Sequence, residues 1–478
     1  MPDLAQGGGE IVAGVGWEGL FVIDSEQSWH CYGAMARSLS PLGSLIGVVL
    51  LVGCGSSTLQ DDEMCEARPE TPSLALEGCE MVVASRSECG VAEHIEIYCV
   101  GDSERQNPID LLVTDEALTL SVDNVDASRV FSSTAAGFAI ESVSTGADTR
   151  QLSLASDAEG TMALAIIDAD QELHYWQRSG VDSEWDKAVL ASDVSQVRSF
   201  EFGPDGPLLW ARQSSLYRFA HTGGEWSSQP VEGDVFDSRY GLARDGTELL
   251  FGTGGGEVTV KRDGELSVLG PGGSQAYYDP VGLPSPLAEA EPGPDAVVAV
   301  HNREGLYIVD DEGREVLISS AARIETPDCI PSGWNCNQTC RGEASGMGVQ
   351  DFAAARTLSG EVWVAWVTRE GEFEVGFGEE CSEPDDPNSC ACIEPRIEAD
   401  HSVHTLHLGR LDPSGEFEET ETWPIEHLDS TLDGSNQIVD RALRMRAHAN
   451  RLVLAYAVNG EDASYHIHTF DLDELAGE

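Results

Sequence analysis

From about residue 110 the chain is written in short runs of β-branched, aromatic and aliphatic residues broken by Gly, Asp and Pro, and helical spacing of apolar positions is scarce. Three stretches share one order. Those starting at Leu154, Phe202 and Leu242 each read as an apolar strand, a tight turn ending in Gly160, Gly206 or Gly246, and a second apolar strand. A third strand follows each pair, at Leu173 to Gln177, Leu216 to Ala220 and Glu257 to Lys261. The first two units then end at matching tryptophans, Trp185 and Trp226.

The turn glycines lie 46 and 40 residues apart and the tryptophans 41 apart. A period of about 40 to 50 residues with four short strands per unit is the repeat of a β-propeller blade. A β-sandwich also has many strands, but it would not repeat one strand order in register. Weaker copies at Val297 to Ser319, Phe352 to Phe377 and Arg444 to Leu472, with one more around Gly137, predict an all-β propeller of six to eight blades over residues 110–478. The chain resembles a divergent secreted propeller, most clearly over residues 150–270. The Gly-His and Trp-Asp signatures of WD40 blades are missing, and Ser179 to Trp185 lacks the Gly of a sialidase-type Asp box.

Three segments interrupt this body. Residues 271–294, with Pro280, Pro284, Pro286, Pro292 and Pro294, read as a Pro/Gly loop between blades. Residues 327–349 and 379–396 read as disulfide-pinned insertions that project from one face. Residues 64–109 form a small cysteine-rich segment, expected as a cap before the first blade.

The run from Ser38 to Gly53 is uncharged but short, and Pro41, Gly43 and Gly47 dilute it, so it fits an export signal better than a span of ~20 apolar residues. Its end, Leu51-Val52-Gly53-Cys54, resembles the bacterial lipobox. The resemblance implies lipid on Cys54 and a membrane anchor that does not span. Residues 1–34 hold Asp3, Glu10, Glu18, Asp24 and Glu26 with no Lys or Arg, whereas Met35-Ala36-Arg37 makes a short basic start. The expected layout is a mis-set start at 1–34, a signal peptide at 35–53 and a flexible tether at 54–63. Gly55 follows the cysteine where sorting to the inner membrane would place Asp; by resemblance to Gram-negative lipoproteins, this implies an extracytoplasmic protein at the outer membrane or cell surface.

The formal charge is −57 for the whole chain and −53 after removal of residues 1–53. Such a surface has no basic footprint for phosphate, which excludes nucleic acid as a partner. Beyond Cys31 and Cys54, ten cysteines fall into an even group of four (Cys65, Cys79, Cys89, Cys99) and an even group of six (Cys329, Cys336, Cys340, Cys381, Cys390, Cys392). In an oxidising compartment this parity predicts two disulfide sets of open connectivity. The short spacings Cys336-x3-Cys340 and Cys390-x-Cys392 leave zinc as the rival reading.

Signature motifs for serine hydrolases, zinc proteases and phosphate loops are missing. His401, His404 and His407 lie on a predicted strand, where His404 faces away from the other two. His466 and His468 share a strand face, without an assignable third ligand, and are expected to face solvent. Asp168, Asp170 and Glu172, in a hairpin turn, form a Ca²⁺ candidate although Leu173 stands where an EF-type loop needs Gly. No other cofactor is implied. The expected function is a lipid-anchored, non-catalytic binding propeller with a protein or glycan partner; the alternative is a glycoside hydrolase or lyase with its site at the channel mouth. A structural envelope subunit would instead present an apolar patch.

Overall fold

The computed structural model describes most of residues 109–320, 349–370, 403–425 and 442–475 with side chains, and as backbone alone the strands at 14–16, 19–23, 29–32, 72–76, 79–86, 91–99, 324–325, 340–348, 371–381 and 390–400. Residues 1–66 and 67–478 form two units. In the first, Gly14–Gly16, Gly19–Ile23 and Trp29–Tyr32 pair as a three-stranded antiparallel sheet. The signal and tether at 35–63, with Cys54, lie outside the described residues, as do Cys65, Cys89, Cys329 and Cys336.

The second unit is a seven-bladed β-propeller, within the expected range of six to eight. Seven antiparallel sheets follow one another along the chain. Their inner strands are Ile109–Val113, Thr149–Ser156, Gln196–Gly203, Arg239–Leu242, Tyr277–Pro280, Cys340–Arg356 and Leu443–His448. Blades one to five add three strands outward in chain order. Contacts pass from blade to blade around the ring and return from the seventh inner strand to the first.

Closure joins the two ends of the unit. Blade seven takes its three inner strands from the C-terminal part, ending at Ser464–Asp471, and its fourth from Val91–Cys99, with Ile467 opposite Ile95. Cys79–Arg86 and Pro72–Leu76 extend that sheet outward. The segment expected as a cap before the first blade therefore completes the last one. An open ring would leave the edge of Ser464–Asp471 unpaired, and pairing with a distant segment removes that edge.

Burial explains the legible repeat. Second strands lie between neighbouring blades, and the clearest are apolar over most of their length: every residue of Met162–Asp168 is buried, and so are nearly all of Val297–Asn302 and Arg451–Val458. Fourth strands such as Glu225–Pro230 are mostly exposed. The hydrophobic clusters span blade boundaries; one joins Ala163 and Tyr175 of blade two to Phe200 and Phe219 of blade three. Each large aliphatic side chain so buried contributes about 1.5–3 kcal/mol.

Each of the three expected interruptions contains strand among its described residues. The Pro-rich segment 271–294 contains an inner strand, Tyr277–Pro280, in which Pro280 closes the strand opposite Val298. Proline is tolerated at a strand's last residue on an edge facing the channel. In blade six, Cys340–Arg356 and Val362–Cys381 run on past the blade as a ribbon to which Cys390–Asp400 pairs, so the described parts of the insertions expected at 327–349 and 379–396 are strand.

One hairpin turn recurs. At Asp157, Ala243, Asp310, Thr357 and Asp412 the carbonyl accepts the N–H of the third residue on. That third residue is Gly160, Gly246, Gly313, Gly360 or Gly415, at φ 81° to 91°. Glycine holds this left-handed position without a Cβ clash. The turn at Asp168 is built the same way, but Gln171 occupies the left-handed position at φ 63°.

Candidate functional site

An inner strand pairs on one side only, so its other edge presents unpaired backbone groups towards the channel. Several blades solve this in one way. Asp110 Oδ2 accepts the N–H of Leu154 at 2.7 Å. Gln151 accepts the N–H of Val197 at 2.8 Å and donates to its carbonyl at 2.9 Å. Ser199 accepts from and donates to Tyr240, and Asp351 Oδ2 accepts the N–H groups of Ala442 and Leu443. Gln151, Ser199 and Asp351 each stand just after a register shift in their strand. A bulge re-aims the next side chain, and here it aims it at the following blade.

Glu201 shares a face with Ser199, two residues along the strand, and approaches blade four at Gly241. A Cβ at Gly241 would meet Phe251 at 3.3 Å and Glu201 Oε1 at 3.7 Å, so the glycine leaves space for the carboxylate. Burial pushes the Glu201 carboxyl up to about 7, and Arg446, on the inner strand of blade seven, opposes that only in part. Half-exposed Arg446 has its Nη2 3.9 Å from Asp110 Oδ1. Asp110 itself is committed to backbone, since Oδ1 accepts Leu111 N–H and Oδ2 accepts Leu154 N–H. Glu201 is therefore a carboxyl raised by burial within electrostatic reach of an arginine contributed from across the ring. Sequence reading missed all three residues; the signal was Phe200-Glu201-Phe202, one acid between aromatics on a partly buried strand.

The acidic hairpin turn, read as solvated and only a weak Ca²⁺ candidate, lies between Met162–Asp168 and Leu173–Arg178 of blade two. Asp168 and Glu172 are brought together, but the group they form includes His174, and Asp170 is exposed outside it. His174 Nε2 lies 2.7 Å from Asp168 Oδ2 and 3.8 Å from Glu172 Oε2. Asp168 Oδ1 accepts the N–H of Glu172 at 2.9 Å. Burial alone would raise the Asp168 carboxyl; the Glu172 N–H, then the hydrogen bond and charge of His174, outweigh it and hold the group below the usual carboxylate range. The i, i+2 spacing of Glu172, at the end of the turn, and His174, on the third strand, was the available signal for the histidine.

His404, His407 and His468 are packing residues. His407 stacks on Trp366 at 5.0 Å and bonds to Thr368 Oγ1 and Glu419 Oε1. His404 is buried on the opposite face, and His401 lies outside the described residues. His468, expected to face solvent, is 2% exposed, stacks against Tyr456 and bonds its hydroxyl at 3.1 Å. Among the cysteines with described backbone, Cys79 is the register partner of Cys99, and Cys381 of Cys390. Cys340 stands opposite Val375 and Cys392 opposite Glu379.

No protein-family model and no curated protein matches the chain. Among solved structures it is similar to a catalytically inactive virginiamycin B lyase from Staphylococcus aureus with quinupristin, at TM-score 0.39 and 9% identity over 81% of this chain and 99% of the other. It is similar too to the Cps50 (Swd1) β-propeller domain of Myceliophteria thermophila, at TM-score 0.40 and 10% identity over 77% and 98%, and to AofleA from Arthrobotrys oligospora, at 0.36 and 10% over 73% and 92%. The assignment of the fold rests on the chain's own ring of seven sheets.

Proposed function

We propose that the chain is a lipid-anchored envelope propeller that binds a neutral, hydroxyl-rich ligand, a glycan, in its channel beside Glu201 and Arg446. The observation that carries this reading is Glu201, a carboxyl raised to about 7 within electrostatic reach of an arginine from another blade. A protonated carboxyl donates one hydrogen bond and accepts others, and a guanidinium offers a fork of donors, which together suit vicinal hydroxyls. The strongly acidic chain disfavours anionic ligands. Saturation-transfer NMR of the full chain with a panel of neutral oligosaccharides tests it. At least one sugar should bind, with affinity falling about tenfold in Arg446→Ala and Glu201→Ala, and no transfer to any sugar would overturn it.

The hydrolase or lyase reading keeps one supporting observation, since a raised carboxyl is the mark of a general acid. Against it, the nearby Asp110 has both oxygens engaged by backbone, whereas glycoside hydrolysis asks for a second free carboxylate. New reducing ends or unsaturated products that vanish in Glu201→Gln would favour the enzyme. The anchor is tested separately: Cys54→Ser should move the protein from the membrane to the soluble fraction.

A further inference from the structure

The hairpin of blade two carries a group of ligand-type atoms that neither the channel nor the anchor uses. Among the described residues, Asp168, Glu172 and His174 are the trio of His, Cys, Asp or Glu whose ligand atoms all lie within 4.8 Å of one another. We propose that these three side chains hold a divalent first-row transition-metal ion of the Zn²⁺ class.

The geometry is close to a coordinated state. Metal–ligand bonds of about 2.0–2.2 Å in tetrahedral geometry place neighbouring ligand atoms roughly 3.3–3.6 Å apart. The observed separations of 2.7 Å and 3.8 Å bracket that range. Asp168 and His174, 2% and 8% exposed, are fixed by packing, and the N–H of Glu172 orients the Asp168 carboxylate through its other oxygen. Glu172, with a side chain 47% exposed, is free to close the trio by a small rotation. Its open side leaves the remaining coordination positions to water.

The sister turns show what the same backbone does without a metal. Asp310 also accepts backbone N–H groups through Oδ1, but its Oδ2 meets Arg314 Nε at 2.8 Å, so a permanent cation is built in. Asp412 takes the hydroxyl of Ser414 on both oxygens. At Asp168 the partner is an imidazole, able to coordinate through a neutral nitrogen, and a second carboxylate stands beside it. Imidazole with carboxylate suits Zn²⁺, Mn²⁺ or Fe²⁺, whereas Ca²⁺ takes oxygen ligands. The histidine thus shifts the expected ion away from the Ca²⁺ that the acidic residues alone suggested.

Calorimetric titration of the chelator-treated full chain with Zn²⁺ tests the site, with Co²⁺ absorption as a second readout. One Zn²⁺ should bind per chain, and Glu172→Gln and His174→Gln should each weaken it about tenfold or more. Asp170→Asn should leave it unchanged, millimolar Ca²⁺ should not compete, and the Co²⁺ ligand-field bands should change in His174→Gln. Far-UV circular dichroism verifies each fold, and the exposed Glu172→Gln suffices if the buried substitution misfolds. Absence of Zn²⁺ binding, binding that survives Glu172→Gln, or equal competition by Ca²⁺ would each overturn the proposal.

Discussion

Asp168 and Glu201 are acids on adjacent blades whose surroundings drive them in opposite directions. Asp168 sits at a turn, where a backbone N–H and an imidazole receive its charge, and its carboxyl is held low. Glu201 lies on an inner strand where the charge of Arg446 opposes its burial only in part, and its carboxyl is raised to about 7. Both lose water. The difference lies in whether the fold supplies donors in return, which decides whether a buried carboxylate stabilises the ring or costs it stability.

The largest separation between the two should appear on removing each side chain. Asp168→Ala leaves the Glu172 N–H without its acceptor and His174 without its close partner, and should cost about 2–4 kcal/mol in urea denaturation near neutral pH. Glu201→Gln replaces a costly acid with a neutral group of the same shape and should be neutral or stabilising. Equal losses for the two variants would show that their environments do not differ as described.

Next in size is the pH response, which should differ in sign. Because the folded Asp168 carboxyl is held below its unfolded value, its contribution is present above about pH 4 and is lost as pH falls through the lower folded value. Glu201 is raised, so the folded state binds the extra proton: stability declines as pH climbs from about 4.5 to about 7, by roughly 1–2 kcal/mol after allowing for its partial exposure. Subtracting the pH profiles of Asp168→Asn and Glu201→Gln from that of the native chain isolates each curve. If the Glu201 difference is flat between about pH 5 and pH 7, the channel carboxyl is not raised.

The contrast also measures how far the sequence could be read. Period, strand order and all-β class were legible because second strands such as Met162–Asp168 are buried on both faces and carry unbroken apolar runs. Closure was not, since the strand Val91–Cys99 pairs with Ser464–Asp471 and nothing local marks a partner more than 350 residues away. Tyr277–Pro280 was hidden by the prolines around it, and inner strands read poorly in general because one edge satisfies itself through side chains. Of the turn site, Asp168 and Glu172 are visible as alternating acids, whereas His174 lies on the strand that follows and carries no mark of the turn in the sequence. Glu201 gave almost no signal, because its meaning depends on Gly241 and Arg446 from other blades.

Cysteine register offers a further test within the same sheets. Cross-strand neighbours in antiparallel pairs have Cα separations of about 4.5–5.5 Å, within the range that a disulfide spans. Peptide mapping without reduction should therefore recover Cys79 joined to Cys99 and Cys381 joined to Cys390. The first bridge would tie the strand that closes the ring to the strand outside it. Its loss in Cys79→Ser paired with Cys99→Ser should lower stability by about 2 kcal/mol or more, whereas different partners in the map would reject this connectivity.

The smallest expected effect returns to the turn. Its cost lies in the backbone, where Gln171 holds φ 63° in the position that five sister turns give to glycine; the cost at Glu201 lies in lost hydration of a side chain. A residue with a Cβ pays for the left-handed conformation in strain, and glycine there relieves it while widening the unfolded ensemble. Gln171→Gly should consequently stabilise the chain by only ~0.5–1 kcal/mol, read as a small rise in the urea midpoint. The substitution leaves Asp168, Glu172 and His174 in place, so Zn²⁺ affinity should stay within about threefold of the native chain. A loss of stability instead would mean that the Gln171 side chain, and not only its backbone, holds the turn that aligns the three ligands.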